Sequence, residues 1–374
     1  MRHALVLALI AAAFAHAAEP VAVQPAPQTA GQPRVEVAFV LDTTGSMGGL
    51  IAAAKAKIWY IANQIVLGKP KPIVRMALVP YRDKGDAYVT KVFGLTDNID
   101  EVYGHLMKFK AAGGGDGPEN VNQALHDAVN KLAWSSDRKT LKIIYLVGDY
   151  PPHNEYKDVP TYDKLAKSAI EKGIYVNTIL CGNNAEARRI WLDIARRAEG
   201  SFFAIAQDGG AKEIPTPFDG ELARLNRDLL GTAVVYGRGE VRARQRAMNI
   251  AAGRYAAPAA ASRAKYAADA GTVASNDLVD DVRKRNVKLE KLDKDMLPEK
   301  LRKMTPAERK AHVAEVQKKR DEINKKIQAI AAKRADYIKK ELAKAAKAGR
   351  KAGFDEKVMA SLKVQAAKKD ITYK

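Results

Sequence analysis

Along the first two-thirds of the chain, short runs that are apolar at nearly every position alternate with longer runs whose apolar residues recur every three or four positions. The first kind predicts strands near residues 35–41, 74–81, 88–93, 141–147, 174–181 and 201–205. The second predicts helices near 48–67, 99–110, 119–134, 161–172, 185–198 and 218–230. Strands apolar on both faces and separated by helices imply a mainly parallel sheet covered on both sides. The expected class is therefore a doubly wound α/β fold with six strands, and such sheets carry their sites at the carboxyl ends of the strands.

After about residue 236 the strand pattern stops, and the rest reads as an all-helical extension. Thr305, Pro306 and Glu308 form a helix start: a hydroxyl cap, a proline in the first turn and an acid three residues after the cap. Val313, Val316, Ile323, Ile327, Ile330, Ile338 and Leu342 follow at helical spacing, so one helix is expected over about 306–348, roughly 60 Å long. Arg320 and Arg334 interrupt this stripe, which counts against a regular coiled-coil heptad.

Charge sharpens the same division. The net charge is +20, and residues 237–374 hold 36 Lys and Arg against 18 Asp and Glu, leaving the preceding part nearly neutral. The expected organisation is a leader at 1–18, a Pro- and Ala-rich linker at 19–33, an α/β domain at 34–236 and a basic helical extension at 237–374. The leader has Arg2, an apolar run from Ala4 to Phe14 and small residues before Glu19, the pattern of a cleavable secretory signal. Its apolar run is shorter than the roughly 20 residues needed to span a bilayer. The expectation is a periplasmic or secreted protein that is not integral to a membrane. Cys181 is the only cysteine, which excludes an intrachain disulfide and fits a small buried hydrophobe. Export and sparse aromatics in the basic part argue against a nucleic-acid partner. An anionic envelope surface is the alternative, beside a simple solvated arm.

The chemistry concentrates in three loops. "FVLDTTGSM" ends an apolar strand at Asp42 and follows it with Thr43, Thr44 and Ser46. "GGGDGPEN" (113–120) precedes a helix, and "GDYPPH" (148–153) places Asp149 after another apolar run. Alternate residues of an extended segment face one way, so Asp42, Thr44 and Ser46 can address one point while Thr43 faces away. Carboxylate and hydroxyl oxygens suit a hard divalent ion, Mg2+ first, with Ca2+ or Mn2+ as alternatives. His153 reads as a solvent-facing loop residue, with a ligand or proton carrier as the alternative. The charged turn Arg82 to Asp86 reads equally as a rim of the site or a solvated hairpin.

"FVLDTTGSM" resembles the Asp-x-Ser/Thr-x-Ser signature of von Willebrand factor type A domains, their metal-ion-dependent adhesion site, and the resemblance extends over about 34–236. It implies a metal-dependent protein-binding module, not an enzyme, whose ion coordinates an acidic residue of a partner, and it implies Asp149 as a direct or water-mediated participant. The family takes a threonine from the second loop; here the loop has none, and Asp116 or Glu119 falls near that position. An extra carboxylate would make the ion less electrophilic and favour Ca2+ or a more structural metal. The loops together resemble exported bacterial proteins carrying this domain. Asp-x-Thr-Gly after a strand also resembles haloacid dehalogenase-like phosphohydrolases, in which Asp42 would be the nucleophile.

Overall fold

The computed structural model describes residues 32–205, 214–347 and 354–373. The predicted leader and nearly all of the predicted linker lie outside the described residues. β1 (Arg34–Asp42) is buried from Val35 to its end, as a strand apolar on both faces from Val37 to Leu41 is expected to be. Its one early acid, Glu36, receives Arg75 at 2.9 Å and the amide of Ser135 at 2.7 Å.

A 3-10 turn (Gly45–Gly49) leads into α1 (Ile51–Ile65), then β2 (Ile73–Tyr81), β3 (Phe93–Thr96), α2 (Ile99–Lys108) and α3 (Val121–Asn130). β4 (Leu141–Gly148), α4 (Tyr162–Glu171), β5 (Ile174–Cys181), α5 (Ala185–Arg197) and β6 (Phe202–Ile205) complete the alternation. The sheet order is β3-β2-β1-β4-β5-β6, parallel throughout except for β3. This is the expected doubly wound, six-stranded α/β arrangement. The chain builds outward from β1 through β2 and β3, then returns to set β4 against the other side of β1. The order therefore switches between β1 and β4, and the crevice lies above their carboxyl ends.

One strand departs from the expectation. Residues 88–92 make a single isolated bridge, Thr90 to Tyr81, and the antiparallel strand is Phe93–Thr96 instead. Main-chain bonds from Arg82 to Val89 and from Lys91 to Pro80 hold this run beside the end of β2, where the Tyr88 hydroxyl meets Thr43 Oγ1 at 2.7 Å.

The helical region follows as α6 (Asp219–Leu230), α7 (Gly239–Ala252), α8 (Ala257–Ala270), α9 (Leu278–Arg283), α10 (Glu299–Arg302), α11 (Pro306–Lys347) and α12 (Phe354–Ala367). The cap expected at α11 is present: Glu308 accepts from the Thr305 amide at 2.7 Å, and Thr305 Oγ1 accepts from the Glu308 amide at 3.3 Å. The arginines that break its apolar stripe turn out to be anchors. Arg320 is buried and donates to Asp277 at 2.7 and 2.8 Å, to Asp280 at 3.1 Å and to the Thr232 carbonyl at 2.7 Å. Arg334 donates to Asp219 at 2.7 Å.

The charge break is not a packing break. Val358, Leu362 and Ala366 of α12 belong to the same buried cluster as Phe39, Ile143 and Tyr145, beneath α1. Gln365 exchanges hydrogen bonds with buried Asn177 of β5 at 3.0 and 3.2 Å. The opposite sheet face packs Ala38, Val40, Ile144 and Leu146 against α3, α4 and α5. Among the described residues no helix is long and apolar enough to cross a membrane.

The tightest link between the two regions is Arg263 of α8, buried and bidentate to Asp100 of α2 at 2.6 and 2.6 Å. Removing one member strands a buried charge, at a cost of about 3–5 kcal/mol, whereas replacing both with apolar residues removes that penalty. Arg263→Met alone should therefore lower the urea midpoint sharply, and Arg263→Met with Asp100→Leu should recover most of the loss at unchanged m-value.

Candidate metal centre

β1 delivers Asp42 to the crevice, and the next residues turn so that their polar groups divide. Thr43 faces away: its amide donates to the Tyr81 carbonyl at 3.0 Å and its hydroxyl to the same oxygen at 2.9 Å. Thr44 closes back on Asp42 Oδ1, its amide at 2.8 Å and its hydroxyl at 2.6 Å. Ser46 Oγ lies 3.2 Å from Thr44 Oγ1 and donates to Asp149 Oδ1 at 3.0 Å. Asp42, Thr44, Ser46 and Asp149 thus share one pocket of oxygens, with Asp149 carried in at the end of β4.

The glycine loop supplies the fourth side of the pocket. Gly45 donates to the Gly113 carbonyl at 2.9 Å, and the Gly114 amide is held between both oxygens of Asp86 at 2.9 and 3.1 Å. Arg82 Nη2 donates to the Lys110 carbonyl at 3.0 Å, so the charged turn rims the site. Gly114 has φ +73, and a Cβ there would come within 3.0 Å of Glu119 Oε1 and 3.3 Å of Thr44 Cβ. Gly148 is equally constrained, because a Cβ would stand 2.3 Å from the Tyr81 hydroxyl and 3.1 Å from Asp42 Oδ2. Glu119 is fixed by its backbone: its amide donates to the Pro151 carbonyl at 3.0 Å and its carbonyl accepts from the His153 amide at 3.1 Å.

Of the two acids that sequence left open, Glu119 joins the Asp42 group and Asp116 stands beside His153 and Asp83 instead. His153 is buried rather than solvent-facing, because the paired 119 and 152–153 backbones tuck its ring against Tyr156. Asp83 was not singled out by sequence; it sits inside a turn whose other charges are exposed or committed, and nothing in its spacing distinguishes it.

The electrostatics are those of acids held together without a counter-charge. Burial, and then the charge of Asp149, pushes the Asp42 carboxyl up to about 7. Burial raises Asp149 as well. Glu119 is pushed up to about 9, first by burial and then by Asp42. Asp42 Oδ2 and Glu119 Oε2 are buried with no hydrogen-bond partner. Elsewhere Glu36, Asp100, Asp127, Asp219, Asp277 and Asp280 are buried too, and each meets a Lys or Arg. Among the described residues buried Asp42, Asp149 and Glu119 meet none, and buried Asp83 has only His153 beside it. Orphaned, mutually repelling oxygens flanked by two hydroxyls are a donor set that fits a hard divalent cation.

A family model described as the von Willebrand factor A domain matches residues 36–216, which include all of these residues. The human von Willebrand factor A domain-containing protein 7 is 39% identical over 97 residues, 26% of this chain and 10% of that protein. A putative ariadne-like RING finger protein of Acanthamoeba polyphaga mimivirus is 31% identical over 121 residues, 32% of this chain and 11% of that protein. The chain thus spans about a tenth of the length of these curated relatives. Among solved structures, proximal thread matrix protein 1 of the mussel byssus covers 47% of this chain and 43% of its own, with TM-score 0.38 and 17% identity. The SpRpn10 VWA domain covers 47% of this chain and 88% of its own, with TM-score 0.36 and 16% identity. Residues 36–216 of the chain thus carry a von Willebrand factor A domain.

Proposed function

We propose that the chain is an exported, metal-dependent protein-binding module. In this reading Asp42, Thr44, Ser46 and Asp149 hold the ion and Glu119 adds a further carboxylate. Mg2+ is the proposed ion, and an acidic side chain of a partner protein is the donor that completes its coordination. The observation that carries the reading is the pair of orphaned oxygens on Asp42 and Glu119, in a protein that gives buried Glu36, Asp100, Asp127, Asp219, Asp277 and Asp280 a cationic partner. The leader at 1–18 supports export to the periplasm or beyond. Exposed Lys318, Lys319, Lys325, Lys326 and Lys333 along α11 support contact with an anionic envelope surface.

The ion supplies the positive charge that the site lacks, so its removal has a defined thermal signature. At a hundredfold excess over its dissociation constant, Mg2+ should stabilise the wild-type chain by about 2.7 kcal/mol. Asp42→Asn should lose that response. In chelator the variant should be at least as stable as wild type, because it deletes one of the repelling charges.

The pH dependence follows from the same groups. Their folded values lie above the ordinary carboxyl range, so without metal they favour the fold at low pH. That contribution fades as pH rises through about 7 for Asp42 and about 9 for Glu119. Metal binding displaces these protons, so apparent affinity should rise about tenfold per pH unit between 7 and 9. Calorimetric titration should show that slope flattened in Glu119→Gln.

Pull-down from an envelope extract should recover a partner with wild type in Mg2+, and not in chelator or with Asp42→Ala. Hydrolysis of a generic phosphomonoester that is abolished in Asp42→Asn would instead establish the haloacid dehalogenase-like reading.

A further inference from the structure

Asp83, Asp116 and His153 each offer one ligand atom, and these atoms lie within 4.8 Å of one another. The group stands on the far side of the loop that carries Glu119, and it uses none of the oxygens of the Asp42 pocket. Its two inner members are nearly sealed from solvent, with side chains 6% exposed for His153 and 8% for Asp83. Both nevertheless leave a buried polar atom without a hydrogen-bond partner, Nε2 of His153 and Oδ1 of Asp83. A buried imidazole nitrogen and a neighbouring carboxylate, each with a buried atom left unsatisfied, are costly unless something joins them.

We propose that Asp83, Asp116 and His153 form a second cation site, distinct from the Asp42 pocket, that takes a Zn2+-class ion. His153 Nε2 lies 3.4 Å from Asp83 Oδ2 and 3.5 Å from Asp116 Oδ1, both beyond good hydrogen-bond length. Ligands around a tetrahedral Zn2+ with bonds of about 2.0–2.2 Å stand about 3.3–3.6 Å apart, which is the spacing of His153 Nε2 from each of the two carboxylates.

The ring is also oriented for the task. Its Nδ1 is engaged by the Glu155 carboxylate, which directs the Nε2 lone pair inward, and Tyr156 stacks on its face at 4.4 Å between centroids. The Tyr156 hydroxyl donates to Asp83 Oδ2 at 3.0 Å and fixes that carboxylate in turn. One imidazole with two carboxylates is a borderline donor set that selects Zn2+ over Mg2+ or Ca2+, whose sites are built from oxygen alone. Such an ion ties the charged turn after β2, the glycine loop and the loop after β4 into one rim.

The test uses the full chain with Asp42→Ala, which silences the first pocket, stripped by chelator and titrated with Zn2+ and then Co2+. One equivalent should bind, and Co2+ should give an intense visible spectrum with nitrogen and oxygen ligation. Adding His153→Gln, or Asp116→Asn at the exposed member of the group, should weaken Zn2+ by about a hundredfold and abolish the Co2+ spectrum. In the wild-type background both substitutions should leave the Mg2+-dependent thermal shift in place, which also certifies folding. Zn2+ binding that disappears in Asp42→Ala, or that survives His153→Gln and Asp116→Asn unchanged, would overturn the second site. Failure of the Mg2+ response alone would bear on the first pocket and not on this one.

Discussion

Carboxyl groups buried without a cation are the constraint around which this molecule is organised. Moving an ionised acid out of water costs several kcal/mol, and the chain usually meets that cost with arginine, as at Asp100 and Asp277. At the carboxyl ends of β1 and β4 it does not. Asp42, Asp149 and Glu119 are instead driven together by backbone that is rigidly placed by the sheet, so their repulsion cannot relax by side-chain movement. Thr44 and Ser46 satisfy one oxygen of each aspartate, while Asp42 Oδ2 and Glu119 Oε2 stay unpartnered.

The sheet makes this possible through its order of strands. Because β4 returns to the side of β1 opposite β2, the loops following β1, β4 and the glycine segment open above one point. Close backbone approach at Gly114 and Gly148 then lets the acids come nearer than side chains would allow. The loops are laced by main-chain bonds rather than by long side chains, from Thr43 to Tyr81, Gly45 to Gly113 and Glu119 to Pro151. Geometry set by main chain is insensitive to side-chain rotamers, which suits a site that must hold its charges apart from any partner of its own.

The fold was legible because its signals are local. Apolar runs such as 35–41 and 141–147 can only be buried on both faces, and the Thr305 to Glu308 cap needs only four residues. The Asp42, Thr44 and Ser46 alternation was legible for the same reason. What escaped depends on contacts distant in sequence. Asp116 and Glu119 lie three residues apart in a loop without period, and only the pairing of 119 with 152 decides which one turns toward Thr44. Arg320 looked like a flaw in an apolar stripe because its acids lie some forty residues earlier. The burial of His153 is likewise made by Tyr156 and the adjoining loops, not by its own neighbours in an extended run.

The position of α12 has a bearing on how this protein can be divided. The last described helix fills the sheet face beside α1, and Thr372 exchanges backbone bonds with Lys69, which stitches the segment after α12 to the connection between α1 and β2. A fragment cut at the end of the matched domain would bare Phe39, Ile143 and Tyr145 to water along the face that α12 covers. The basic arm is consequently a wall of the domain as well as an appendage to it.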